Sequence, residues 1–354
     1  MTSAHSPWPL FCNDLDQAQQ WVRDQLAQTP TDRKLGHQAL SLGLTDVVLQ
    51  LLGQDTLKLH DATRRQWKFR LARLSGAMNP YSELIPPDMR TSTDIQMNHA
   101  KQMDMPAVVS LNGGIGDHLE VISMLLEWSR MDMHPLILNV SPQREQILSP
   151  LIASIPQLEL QSRVNQPSVP VMAMREWICR HCGSIPYGTW IENKVDSRKE
   201  SQGNLYCWKA KGEDNPLSAH LRSVPFPLVL NYYKTMRHFC SEAPLVDISD
   251  WNLKETTALK ELGVRCLNPR NLGLSGLINY CEDKQIISID TALAHICAVM
   301  GKNAILLLNQ TPDERWVELH RTQNCYGRHL KIIRQTQFCD WEDALESLLS
   351  CTVA

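Results

Sequence analysis

The chain of 354 residues has no long apolar run, no large excess of charge of either sign and no paired cysteine framework. Its uninterrupted apolar stretches are a handful of residues, far short of the ~20 that a membrane-spanning helix needs. A net charge of −3 is not the basic composition that binds nucleic acid or anionic lipid. Residues 1–16 lack both a basic start and an apolar centre, so no secretory leader is predicted there. Eleven cysteines, an odd and scattered count, read as reduced thiols of a cytoplasmic chain. Cys179 and Cys182 have metal-ligand spacing, but no second pair completes a zinc site, so they read as two thiols at a helix end. The only Asp-x-Asp, Asp14-Leu-Asp16, falls in a helical region, so no metal-bridging carboxylate pair is predicted at a strand end.

What is present is a globular composition, 43% hydrophobic and 21% charged, in a length that accommodates two or three domains. Residues 14–76 have helical periodicity in short pieces. Asp14 or Asp16 caps the first, Leu35 to Leu42 makes the second, Thr45 caps the third and His60 to Leu74 makes the fourth, with Gly43, Gly53 and Gly76 as stops. Such helices suggest antiparallel hairpins like those of helical repeats, a surface for a protein partner. Residues 77–105, rich in proline, serine, threonine and methionine, read as a linker or irregular docking segment. From Pro106 the pattern becomes strand, helix, strand: Ala107 to Leu111, a helix through Leu119 to Trp128, and Leu136 to Val140. Residues 141–200 are punctuated by prolines and resist assignment. A second α/β block starts near Asn204, with strands expected at 204–208, 227–230, 245–248, 264–267, 286–289 and 304–308 and a last helix capped by Asp340. The expected organisation is a helical N-terminal region with its linker (1–100) and two Rossmann-like domains (104–203 and 204–354).

Two loops carry the chemistry. Residues 287–316 form a βαβ unit: an apolar strand ends at Asp290-Thr291, a helix opens with Ala292 and His295 and stops near Gly301, and a second strand runs into Thr311-Pro312-Asp313. Open α/β sheets bind ligands at such strand ends, and a helix N-terminus there favours a phosphate. Asp290 reads either as a helix cap or as a ligand contact, and His295 either as a core histidine or as a group beside that phosphate. Lys209, Lys211, Arg222 and Thr311 also follow strands and can converge on the same sheet edge, which is what a diphosphate leaving group needs. The other loop, Gly113-Gly114-Ile115-Gly116-Asp117, joins a strand to a helix without the third glycine of a dinucleotide fingerprint or the lysine of a P-loop. Its carboxylate, Asp117, suits a helix cap and a general base equally.

Ile289-Asp-Thr-Ala-Leu-Ala-His295, Gly301-Lys302, Leu306-Leu-Leu308 and Pro312-Asp-Glu-Arg-Trp316 together resemble the C-terminal domain of heptosyltransferase-like glycosyltransferases, glycosyltransferase family 9. They look most like the branch fused to tetratricopeptide repeats. Leu205-Tyr-Cys-Trp-Lys-Ala-Lys-Gly212 with Arg222-Ser-Val-Pro225 is similar to the opening of that family's second domain, and Leu111 to Asp117 to its Gly-Asp loop. The resemblance implies a GT-B fold, two Rossmann-like domains facing a cleft, and inverting, metal-independent transfer from a nucleotide-diphosphate sugar without a cofactor. It puts Thr291, Ala292 and His295 on the donor diphosphate with Lys209, Lys211, Arg222 and Thr311 around it, and Asp290 near the sugar hydroxyls. Asp117 becomes the base, in a loop whose Gly113, Gly114 and Gly116 let an unidentified acceptor (glycan, lipid or protein) approach. The chain departs from the family where Ala292 replaces a usual glycine, where Asn303 replaces a common proline, and where no proline follows the Gly-Asp helix start. A non-catalytic binding or scaffold protein on this fold, or a nucleotide-sugar epimerase or hydrolase, are the alternatives.

Overall fold

The computed structural model describes residues 15–29, 33–53, 61–74, 79–111, 114–132, 135–153, 155–183, 187–191, 203–210, 216–240, 244–311, 316 and 330–352. The N-terminal helices are α1 (Leu15–Gln28), α2 (Arg33–Ser41), α3 (Thr45–Leu52) and α4 (Asp61–Leu74). Ala18, Val22 and Leu26 put one apolar face of α1 inside, four residues apart on a 3.6-residue helix. Gly43 turns the chain between α2 and α3 at φ +73°, a conformation open to glycine at no side-chain cost. Asp14 lies outside the described residues, and Asp16 is in the first turn of α1 rather than capping it. Thr45 is not a cap either: α3 starts at Thr45 itself, after Leu44, with no side-chain bond to the helix end. This helical cluster incorporates Leu221 and Phe338, so it is seated on the second α/β block.

Of the segment read as a linker or irregular docking segment, the described part, 79–105, is mostly helical. A 3-10 turn (Pro80–Glu83) leads into α5 (Pro87–Gln102), a full helix packed on the first sheet. Pro86 and Pro87 suit a helix start, where no amide is needed. The stripe α5 buries is narrow, Thr93, Met97 and Ala100, so its periodicity is faint in the sequence.

The first sheet is fully parallel in the order β3-β2-β1-β4, from β1 (Ala107–Ser110), β2 (Leu136–Asn139), β3 (Leu158–Gln161) and β4 (Val169–Pro170). Helices α6 (Ile115–Asp132), α7 (Pro142–Ile152) and α8 (Val171–Cys182) follow its strands. The second sheet is also parallel, from β5 (Asn204–Cys207), β6 (Leu245–Asp247), β7 (Arg265–Cys266), β8 (Gln285–Ile289), β9 (Ala304–Leu308) and β10 (Leu330–Arg334). Its order, β10-β9-β8-β5-β6-β7, reverses direction between β5 and β8. That is the doubly wound order whose ligand crevice lies above the reversal. Helices α9 (Pro216–Arg222), α10 (Phe226–Phe239), α11 (Leu253–Glu261), α12 (Pro269–Glu282), α13 (Ala292–Val299) and α14 (Glu342–Thr352) complete it. The α/β fold with parallel sheets is the one expected. The strand expected at 227–230 is instead the first turn of α10, where Phe226 to Leu230 imitates a strand, but Val229, Tyr232, Tyr233 and Met236 are buried at helical spacing. Asp340 lies one residue before the cap position of the last helix, which Trp341 holds, and its Oδ1 accepts the Glu342 amide at 2.9 Å.

The two sheets share one apolar core, in which Leu119 and Ile122 of α6 join Leu293, Ile296 and Val299 of α13. Helices α6 and α13 pack directly on each other. Residues 187–191 strap them together. The Gly188 amide donates to Ser123 Oγ (2.9 Å), and the Trp190 amide to the carbonyl of Val299 (2.8 Å). Among the described residues no helix is long and apolar enough to cross a membrane.

The tightest fit in the helical region is Gly36 under the fully buried Trp67, where a Cβ would stand 2.0 Å from the indole. Gly36→Ala therefore has to displace that ring. Chemical denaturation should show a loss of about 1–3 kcal/mol, the range of overpacked cores, despite the better helix propensity of alanine.

Candidate active site

At the reversal of the second sheet, β8 runs out through Asp290 into Thr291, which is the extended N-cap of α13 (φ −146°, ψ 175°). No side chain caps this helix. Asp290 is turned aside: Arg222 Nη1 donates to its carbonyl at 2.9 Å and to Oδ2 at 3.3 Å. The Thr291 hydroxyl is also turned inward, 3.0 Å from Ser288 Oγ and 3.7 Å from Cys207 Sγ on the neighbouring strand β5. Burial pushes the Cys207 thiol up to about 11, so it is a neutral acceptor there. What α13 offers the crevice is accordingly backbone. Its first bonds, from the amides of Ala294 and His295 to Thr291, leave the N–H groups of Ala292 and Leu293 as helix-end donors. The helix dipole adds partial positive charge there, and the Arg222 guanidinium lies beside Asp290 at the same strand end.

Lys209 stands on the other flank of β5. Its ammonium lies 5.1 Å over the ring of Trp251 and 3.7 Å from Glu255. Beneath it is a buried acid that sequence reasoning missed. Asp247, at the end of β6, accepts from the Ser249 amide (2.7 Å), Tyr233 Oη (2.9 Å) and Trp251 Nε1 (3.1 Å). Burial raises its carboxyl to about 6, against the pull of those donors.

On the facing side, the Gly114 amide donates to Asp117 Oδ2 at 2.9 Å, so Asp117 ties the loop to the start of α6. His118 Nδ1 lies 2.6 Å from the Gly114 carbonyl. A carbonyl only accepts, so Nδ1 carries the proton and Nε2 is a buried acceptor without a partner. Desolvation lowers the His118 pKa and keeps the ring neutral. Glu120, one turn on, is buried against Arg175 (3.2 Å) and the Tyr187 hydroxyl (3.0 Å). The two sides meet at Gly116, where a Cβ would be 2.6 Å from His295 Cδ2. The His295 ring is itself buried against Trp316, 4.9 Å between centroids.

Of the residues anticipated, Arg222, Asp290, Thr291 and Ala292 are brought together, and Gly114, Gly116 and Asp117 line up opposite, joined to them through His295. Lys209 is nearby but held to Trp251 and Glu255. The Thr311 carbonyl accepts from the Asn309 side-chain amide (2.8 Å). Lys211 and Gly113 lie outside the described residues. Cys179 and Cys182 close α8, and among the described residues no His, Cys, Asp and Glu cluster could hold a metal ion. No local pattern marks the Asp247 network, because Tyr233 reaches it from α10 across the fold.

No protein-family model and no curated protein sequence matches the chain. Among solved structures, it is similar to the E. coli heptosyltransferase WaaC with ADP, at 12% identity and TM-score 0.43, over 71% of this chain and 100% of that one. It is similar to the glycosyl transferase family 9 protein from Veillonella parvula DSM 2008, at 8% identity and TM-score 0.44, over 69% and 88%. It is also similar to the E. coli ADP-heptose lps heptosyltransferase II, at 12% identity and TM-score 0.38, over 71% and 100%. These likenesses concern the course of the chain.

Asp247 is faced by Tyr233 of α10, Tyr206 and Cys207 of β5, Cys266 of β7, and Ser249 and Trp251 beyond β6. None of these titrates between pH 4 and 6. Because its folded-state pKa lies above the unfolded value, folding takes up a proton between about 4 and about 6, and stability from this group falls as pH rises through that window. Asp247→Asn removes that slope. The unfolding free energy of wild type relative to the variant should drop by about 2 kcal/mol from pH 4 to pH 7.

Proposed function

We propose that the protein is a glycosyltransferase that moves a sugar from a nucleotide-diphosphate sugar to an acceptor held on the first sheet, with inversion and without a metal. The observation that carries this reading is the open first turn of α13, beside the Arg222–Asp290 pair, in contact through His295 with the Asp117 loop. The diphosphate would rest on the Ala292 and Leu293 amides, with Arg222 and Lys209 neutralising the charge that grows as the sugar bond breaks. Cations fixed on the protein in this way do the work that a divalent ion does elsewhere. Asp290, its Oδ2 shared with Arg222, would accept from sugar hydroxyls. Asp117 would take the proton of the acceptor hydroxyl as it attacks the opposite face of the anomeric carbon, a single displacement that inverts it. The loop bond from Gly114 fixes the carboxylate, as a base must be fixed.

A second reading has an observation in its favour. Asp117 serves its own helix as a cap, which suits a nucleotide-binding or scaffold protein without chemistry. Two measurements separate them. ADP, GDP and UDP are each tested by thermal shift, and at 100 times Kd the cognate nucleotide should add about 2.7 kcal/mol; stabilisation by none of the three contradicts donor binding. Asp117→Asn should lower kcat by about 10²–10⁴-fold while Kd for the nucleotide moves less than about twofold. Unchanged turnover in the variant removes Asp117 from the chemistry.

A further inference from the structure

We infer that Asp247, buried below the crevice and touching no ligand, is the positioning residue that fixes Lys209 at the donor site by way of the Trp251 indole; this rests on the donor reading above.

The chain of contacts is short. The Asp247 carboxylate holds the N–H edge of Trp251 at 3.1 Å, and Phe226 packs edge-on against the same indole at 5.2 Å, so the ring plane is set from two sides. Lys209 Nζ lies 5.1 Å over that ring. Its second contact, Glu255 Oε2 at 3.7 Å, is also immobilised, because Glu255 and Asn252 form the reciprocal capping box of α11 with both bonds at 2.9 Å. The backbone before Lys209 is referenced to the same acid. Tyr233, bonded to Asp247, accepts from Trp208 Nε1 at 2.8 Å, and Ser249, whose amide Asp247 holds, accepts the Trp208 amide at 2.8 Å. Asp247 thus sets both where the strand delivers Lys209 and where the ammonium comes to rest.

The chemistry explains why the residue is an acid. Three N–H or O–H donors converge on it from α10 and from two positions in the loop after β6. Only a carboxylate accepts from all of them, whereas an asparagine would turn an N–H toward one. A lysine carries its charge on a flexible stem and makes no forked bond to a phosphate, so its contribution depends on being held in place. A cation over an indole is attracted without being neutralised, which leaves it available to a second anion.

The test has two arms, both on the full chain. Reductive methylation with 13C-formaldehyde places a reporter on each lysine, and the Lys209 signal is identified by its loss in Lys209→Arg. In wild type this signal should carry an upfield ring-current shift from Trp251. In Asp247→Asn, and in Asp247→Ser should the first variant fold poorly, it should move toward the position of the exposed lysines. In the second arm, binding of ADP, GDP and UDP is measured by calorimetry. Asp247→Asn should weaken the nucleotide that binds by about 5–20-fold, and by less than twofold when Lys209→Met is already present. A wild-type Lys209 shift in both variants overturns the inference, as does an equal loss of affinity with and without Lys209. If none of the three nucleotides binds wild type, the donor reading fails by itself, and the methyl shift alone decides whether Asp247 positions Lys209.

Discussion

The packing of α6 against α13, with His295 pressed on Gly116, is the contact on which the arrangement of the site depends. Each helix begins where its sheet ends, α6 after β1 and α13 after β8. Both strands border the reversal point of a doubly wound sheet. Packing these two helices together therefore brings the strand ends at the two reversal points toward each other. The continuous apolar core through both sheets and the strap at 187–191 hold them there. A glycine at 116 is required by this closeness, since a Cβ would overlap the imidazole.

Charge is distributed accordingly. Buried ionic groups add little to stability and cost much when a partner is lost, so their placement is informative. Arg222 with Asp290 and Asp247 among its donors stand at strand ends of the second sheet, and Arg175 with Glu120 links α8 to α6. Arg222 bonds Asp290 at the open turn of α13, Lys209 is held over Trp251 past the end of β5, and Asp117 lies at the start of α6 on the other sheet. Under the proposed function, positive charge for a leaving diphosphate and a carboxylate for an incoming hydroxyl would stand on opposite walls, the layout a displacement reaction uses.

Parts of this were legible in the sequence for physical reasons. A strand of Ile286 to Ile289, a polar turn and a glycine stop at 301 leave few options other than βαβ, and the loop from Leu111 to Asp117 is bounded just as clearly. Elsewhere local pattern misleads. Phe226 to Leu230 is apolar enough for a strand, but prolines at 225 and 227 favour a helix start, and the tyrosines at 232 and 233 fall on its buried face. Helix α5 is nearly polar throughout, and β3 and β4 are short and proline-flanked, so neither declares itself. Thr45 has the residue type of a cap without the geometry. Contacts between distant segments were beyond reach: nothing local links Asp247 to Tyr233 and Lys209, or Gly116 to His295.

The seat of the diphosphate on α13 is tested most directly by backbone amide NMR during titration with ADP, GDP and UDP. The account predicts that the nucleotide that binds moves the Ala292 and Leu293 amide resonances most, with smaller changes at Lys209, Arg222 and the Asp117 loop. Resonances at Ala292 and Leu293 that stay in place at saturation, with the largest changes elsewhere, would contradict it.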